Sequence, residues 1–525
     1  MTGIWFKKMN LHIEKKMKIN FEHFKEPKLL FGDYFEHEDT KTGLAEYGPF
    51  GKNVSGLHIS EIRLGFIGTR ESISGAKEWV EKCSGYIESE NIKTIIERVK
   101  DENKDSLLLP FSDDIEHEIT NIRRLEKILN RDFDGFNKAS RFNCCFQMNQ
   151  RWERTINHRD LEWALDTKKD KKQRILETVS LIENELRSIT QTDPTPHVII
   201  IALTKDIEGL ADTVRISRNY FFNLRRAIKA MAMNQHPPIP VQILRHGTIE
   251  GKGQIQEPAT RAWNFCTAQY YKAGGVPWIP AILEKDTCYI GISFYITQDF
   301  DEQLTMRSSI AQAFDFLGQG FVLRGEPFEW DVDKLGPSPH LTKDGARNLI
   351  KNTLEEYIAV RGNPPTRVVI HKTSEFWGED REQYNEISGF YEGIDEVAPR
   401  CENDFVTLRQ TGLRLFREGI YPPLRGTYFC LEDRYHFLFT MGFIPYLETY
   451  PGSYVPEPWQ ITQHIGGSSP KDLLREVLIL TKMNVNNCNF SDGTPITISF
   501  SKKVGEIMKH IGRDEISQPS YKFYM

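Results

Sequence analysis

Two runs in this 525-residue chain are apolar at almost every position, HVIIIAL at 197–203 and CYIGISFYI at 288–296. A strand written this way has no face to offer to water, so it belongs inside a sheet covered by helices. A third buried strand, IRLGFIG at 62–68, leads straight into a helix-like stretch around 72–86. Farther on, Ile175, Val179, Ile182 and Leu186 fall on one helical face, ahead of DPTP and HVIIIAL. A helix around 218–233, a strand at 241–244 and a helix around 260–271 follow, and this unit closes near Pro280. Strands alternating with helices predict an α/β layer fold with a largely parallel sheet.

A second α/β unit opens with CYIGISFYI. It carries strand signals at 366–371 (TRVVIH), 426–431 and 496–500, the last read from ITISF. Between them lie a helix with Ala346, Ile350, Leu354 and Tyr357 on one face and another around 471–481, which together predict a mixed sheet. The turn-rich text DTKTGLAEYGPFGKNVSG, at the end of the first fifty-odd residues, reads as a connector, and the highly charged segment 100–170 gives no assignment.

Composition narrows the function classes. With a net charge of −6, any nucleic-acid site must be a local basic surface on an acidic body. The N-terminus lacks the apolar run of a signal peptide and no stretch of about 18 apolar residues occurs, so a cytoplasmic protein without a membrane span is expected. Eight scattered cysteines without a CxxC pair fit reduced thiols and not a disulfide scaffold or zinc site. No P-loop or GxGxxG occurs, which argues against nucleotide-cofactor binding.

Several segments resemble the Argonaute family, specifically its short prokaryotic members. GLAEYGPFG (43–51) is similar to the linker that enters their MID domain, and YYKAGGVPW (270–278) to the close of MID. RGTYFCLEDRYHFLFTMGFIP, VPEPWQITQHIGG and LREVLILTKMNVNNCNFSDGTPITISFSKKVGEI resemble the C-terminal half of PIWI. The resemblance runs from about residue 27 to the end and implies a segment and linker at 1–55, a Rossmann-like MID domain at 56–280 and an RNase-H-like PIWI domain at 281–525.

Family MID domains grip a guide's 5′ phosphate, and the matching positions are Arg225, Lys229, Gln242 and Lys272. The i, i+4 spacing puts Arg225 and Lys229 on one helix face, and a phosphate dianion needs such convergent charged donors. From spacing alone, a solvated helix face is the readier reading of the pair. Arg215, Arg218 and Arg226 make the neighbourhood basic, with no acidic residue from 213 to 245. Where the family often has another lysine this chain has Ala268, with Gln269 beside it to compensate. Tyr220 and Phe221 are candidates to stack on the first guide base, with core packing as the alternative. A Mg2+ ion bridging the 5′ phosphate is the cofactor the resemblance implies; none is expected in the catalytic centre.

Slicing by an RNase-H-like domain needs carboxylates around two divalent ions. Ser293, Thr373 and Lys502 stand where the family's metal ligands would be, and nothing near 339–343 supplies the usual glutamate. Asp299, Asp301, Glu302 and Asp315 form the alternative, a relocated metal site. The resemblance therefore implies a non-slicing binder of a guide RNA and complementary single-stranded target DNA. Its partner would be an APAZ-domain effector, commonly a TIR or sirtuin-like NAD hydrolase and less often a nuclease. Such a heterodimer, able to assemble further on activation, would act in abortive defence against plasmids and phages. An autonomous guided nuclease and an effector-less module acting by occlusion are the rival readings.

Overall fold

The computed structural model describes residues 18–89, 131–210, 213–215, 221–251, 256–281, 283, 286–298, 304–313, 320–418, 422–452, 454–511 and 518–525. Strand β1 (Ile19–His23), the short strands β2 (Leu29–Leu30) and β3 (Glu36–His37) and helix α1 (Thr40–Tyr47) come first. Part of the stretch read as a connector is therefore helical. Asp39 accepts from the Thr42 N–H at 2.7 Å and caps α1, whose Leu44 and Ala45 are buried. Tertiary packing overrides the turn-forming Thr and Gly there.

The first α/β unit follows as β4 (Glu61–Gly68), α2 (Arg70–Ser84), β5 (Cys145–Thr155), α3 (His158–Ala164), α4 (Lys171–Thr190), β6 (Val198–Ala202), the hairpin β7 (Val214–Arg215) and β8 (Phe221–Phe222), α5 (Leu224–Met233), β9 (Val241–Leu244) and α6 (Pro258–Lys272). Its sheet runs β5-β4-β6-β9 with every neighbouring pair parallel, and β6 at its centre is buried at all five positions. The Rossmann-like layout expected from the sequence is present. Strand β5 lay inside the unassigned charged segment because it is a sheet edge, with Trp152 the one fully buried residue along it.

After β10 (Ile279–Pro280) the second unit contains β11 (Thr287–Gln298), β12 (Leu304–Ala313), β13 (Val322–Phe328), α7 (Lys343–Arg361), β14 (Arg367–Lys372), α8 (Glu386–Val397) and β15 (Glu402–Gln410). It continues with β16 (Thr427–Leu431), β17 (Tyr435–Leu438), β18 (Trp459–Gly466), α9 (Pro470–Leu480) and α10 (Ile496–Met508). Five strands in the order β13-β12-β11-β14-β15, with β11, β14 and β15 parallel and β12 antiparallel to both its neighbours, give the RNase-H-like mixed sheet. Strands β18, β17 and β16 extend it, and β1 closes the edge by pairing with β16.

ITISF is the first turns of α10, not a strand. Its β-branched residues mimic a strand over five positions, but Ile496, Phe500, Val504 and Ile507 continue at helical spacing and are all buried. Gly291 on β11 is required by this packing: a Cβ there would lie 1.9 Å from the Thr497 carbonyl oxygen. Among the described residues no helix is long and apolar enough to cross a membrane.

A basic cleft between the two units

Helix α5 positions the first candidates. Leu224, Ala227 and Ile228 bury its apolar face, Asn223 caps its start by accepting from the Arg226 N–H at 3.2 Å, and Arg225 and Lys229 are left half-buried on the other side. That side walls a cleft of about 790 Å3 shared with β9, α6 and, from the second unit, α10. Seven basic side chains line it, Arg225, Arg226, Lys229, Arg245, Arg261, Lys502 and Lys503, against one acidic side chain, Glu506. Glu506 is committed: it pairs with Arg226 at 2.5 Å and Lys509 at 2.6 Å.

Lys229 feels both its burial and this excess of cations. Burial first, then Lys503, Arg225 and Arg226, push its ammonium down to about 8, and it has no hydrogen-bond partner among the described residues. A desolvated, crowded ammonium without a partner is a site that an anion would stabilise.

Gln242, on β9, also lines the cleft, and its Oε1 accepts from Lys272 Nζ at 2.6 Å and from Gln269 Nε2 at 3.3 Å. Lys272 stands behind the wall, 1% exposed, with its Nζ also donating to the Val241 carbonyl at 3.0 Å. Burial, then Lys229, hold it well below the usual lysine range. Lys272 thus acts on the cleft through Gln242. Gln269 is buried and fixes the same amide, while Ala268 lines the cleft. Phe221 is 45% exposed on the β8 strand, with the Arg215 guanidinium 6.0 Å from its ring centre, and it does not line the cleft. Tyr220 lies outside the described residues.

The cleft's side chains alone would not hold a Mg2+ ion. The Gln242 oxygen already receives an ammonium, Glu506 is held by two cations, and the remaining charged side chains of the lining are basic. Hard divalent ions need anionic oxygens, which these side chains do not present.

Lys502 and Lys503 of α10 are exposed and reach this cleft from the second unit, although the sequence reading set Lys502 in the catalytic centre. Their adjacency was the available signal, obscured by taking the preceding residues for a strand.

The positions read from the sequence as a lost metal centre lie midway along β11 and just past the end of β14. Their parallel register pairs Gly291 with His371, and two residues on brings Ser293 level with Thr373. Ser293 Oγ donates to the Ser501 carbonyl at 2.6 Å, and Thr373 is exposed, its carbonyl accepting from Arg409 Nε at 3.1 Å. His371 is buried, 2.9 Å from Thr497 Oγ1, and burial pushes its imidazole down to about 3, so it is neutral. Beside it, Lys372 Nζ donates to both oxygens of Glu386 at 2.8 Å. The Glu386 carboxylate also accepts from His340 at 2.9 Å and from the Leu341 and Trp377 N–H groups at 2.9 and 3.2 Å. It is wholly buried and fully engaged, so it has no lone pair free for a metal. Among the described residues no group of three or more His, Cys, Asp or Glu side chains converges. Asp299, Asp301, Glu302 and Asp315 lie outside the described residues.

No protein-family model and no curated protein matches the chain. Solved structures do. Clostridium butyricum Argonaute bound to a guide DNA and a 19-mer target DNA superposes with a TM-score of 0.59 at 14% identity, covering 95% of this chain and 54% of that one. Drosophila Piwi gives 0.54 at 12%, over 96% and 56%. Aa-Ago with externally bound siRNA gives 0.55 at 13%, over 97% and 56%. At these identities the likeness is one of fold: the chain has an Argonaute-like fold and spans about half the length of each of these structures.

Proposed function

We propose that this chain, on its Argonaute-like fold, holds a short nucleic-acid guide by its 5′ phosphate and offers the guide for pairing with a complementary strand. The observation that carries the reading is the cleft itself. Arg225 and Lys229 on one helix face, Gln242 beside them and Lys503 opposite surround a space in which Lys229 has no hydrogen-bond partner among the described residues. Convergent donors of this kind recognise a terminal phosphate and not an interior backbone alone. The test is a titration of labelled guide oligonucleotides differing only at the 5′ end.

The guide is an RNA and the target single-stranded DNA in this proposal, on the resemblance to short prokaryotic Argonautes. Ser293 and Thr373 offer neutral hydroxyls where a two-metal centre needs carboxylates, and the nearby Glu386 is bound to Lys372 and His340. The loaded protein is therefore expected to leave a matched DNA target intact in Mg2+ or Mn2+. Guide-dependent cleavage by the purified chain would instead establish a guided nuclease and direct attention to Asp299–Asp315.

A binder without chemistry needs another molecule to respond to it. We assign that role to an APAZ-domain partner bearing a TIR or sirtuin-like NAD hydrolase, whose active state the guide–target duplex would favour. Co-expression with the adjacent gene should yield a stable heterodimer that degrades NAD+ only when guide and target are both present. A chain that stays monomeric beside its neighbour and triggers nothing when targeted would replace this with occlusion.

A further inference from the structure

Helix α5, which carries Arg225 and Lys229, has ten residues, about 15 Å of helix, too short to be stable alone. Its cap residue Asn223 uses its side chain on the Arg226 N–H, and the Asn223 backbone N–H donates to His510 Nε2 at 3.0 Å. To accept there, His510 must carry its proton on Nδ1, and Nδ1 lies 3.2 Å from the Glu506 carbonyl one turn earlier. Both ring nitrogens are thereby used. The ring also packs against Phe222, 5.0 Å between centres at 64°. Along the helix, Arg226 pairs with Glu506. At the far end Met233 is the last helical residue, so its carbonyl has no partner within the helix, and Gln518 Nε2 donates to it at 3.0 Å.

We infer that His510 and Gln518 clamp the two ends of the phosphate-gripping helix, and that His510 is a positioning residue for the 5′-phosphate site. The inference rests on the guide-binding reading above. Arg225, Arg226, Lys229 and Lys503 repel one another across the junction, and a helix free to shift would separate them. The clamp holds them converged before the anion arrives, so binding spends less on ordering. Neither clamp residue touches the phosphate; both act through the placement of α5. The second unit therefore contributes to guide recognition through the geometry of the first.

The experiment uses the full chain and one labelled oligonucleotide with either a 5′ phosphate or a 5′ hydroxyl, and reads the ratio of the two dissociation constants. His510→Phe keeps an aromatic ring but removes the acceptor. Its ratio should fall about five- to tenfold relative to wild type, the scale of one lost hydrogen bond with some helix displacement. His510→Gln, which returns an acceptor at similar reach, should recover most of the preference. Gln518→Leu, at the half-buried opposite end, should lower it about two- to fivefold on the same scale. It supplies an independent reading if His510→Phe does not fold. A wild-type ratio in a folded His510→Phe protein, or equal losses in the Phe and Gln variants, overturns the positioning role. If His510→Phe does not fold, a wild-type ratio in Gln518→Leu overturns the clamp. Absence of any preference in the wild type overturns the phosphate reading itself and is distinguishable from both.

Discussion

A guide with a 5′ phosphate should bind this chain about ten- to a hundredfold more tightly than the same guide with a 5′ hydroxyl, since a hydrogen bond to a charged group typically contributes about 1.5–3 kcal/mol. Lys229→Ala should remove most of that difference. Lys229 is a member of the cluster whose ammonium has no hydrogen-bond partner among the described residues and whose charge burial already disfavours, whereas Arg226 is already paired with Glu506 and Lys272 with Gln242. The pH dependence has a definite sign. In the free protein the Lys229 ammonium titrates at about 8, below its ordinary value of 10.5. A bound phosphate favours the charged form, so above pH 8 binding must take up a proton, and the preference declines as pH rises. At the acid end the phosphate itself protonates near pH 6. The preference should therefore be greatest between about pH 6 and pH 8. The same depressed titration means that the unliganded fold is penalised by this charge below pH 8 and relieved as the lysine deprotonates. A titration series at several pH values checks all of this. A pH-independent preference, or a Lys229→Ala protein that still discriminates, would place the phosphate elsewhere.

Glu386→Ala should be the most damaging single change outside the cleft, at a cost of about 3–5 kcal/mol, because it leaves a buried cation without its counter-charge. Glu386 answers Lys372, His340 and two backbone N–H groups at once, and the Lys372 and His340 side chains are both buried. Burial raises its carboxyl, but Lys372 and His340 more than offset this, and the net shift is downward. Its contribution is thus present above the ordinary glutamate value of 4.5 and is lost as pH falls through the lower folded value. In the variant, nothing opposes the burial that already lowers Lys372. The remaining instability should then ease as pH rises and the lysine sheds its proton. Adding Lys372→Met to Glu386→Ala should recover part of the loss. Denaturant unfolding of the single and double variants across pH decides it; a single variant as stable as wild type would show that the network is dispensable.

How far the sequence alone led depended on where each contribution comes from. Strands such as β6 and β11 are apolar throughout and admit only one placement, and the i, i+4 pair Arg225–Lys229 marks one face of α5 within a single turn. Local text carries both. The cleft's other half does not announce itself that way. Lys502 and Lys503 sit about 275 residues further on, and their helix begins with ITISF, whose β-branched residues satisfy a strand over any short window. Only the crossing of α10 directly over Gly291 decides the matter, and that is a tertiary fact. Lys272 shows a related limit: its place in the sequence marks it for the phosphate site, yet the structure buries it behind Gln242. The buried Lys372–Glu386–His340 group was unreadable for the same reason, since three polar residues spread over 47 positions acquire meaning only when the sheet and α8 bring them together.

The pairing of β1 with β16 has a consequence for how the chain is made. Ile19 lies opposite Leu431 and His23 opposite Thr427, so the first described strand emerges some four hundred residues before its neighbour exists. At roughly 5–20 residues per second of synthesis, it waits on the order of 20–80 seconds without a ladder to join. Throughout that interval Ile19 and Phe21, which remain exposed even in the finished sheet, are available to any other unpaired strand. That edge of the sheet thus closes only when a strand made early meets a partner made late. A chain cut short before residue 427 would lack β16 and leave β1 without the partner it has in the complete sheet.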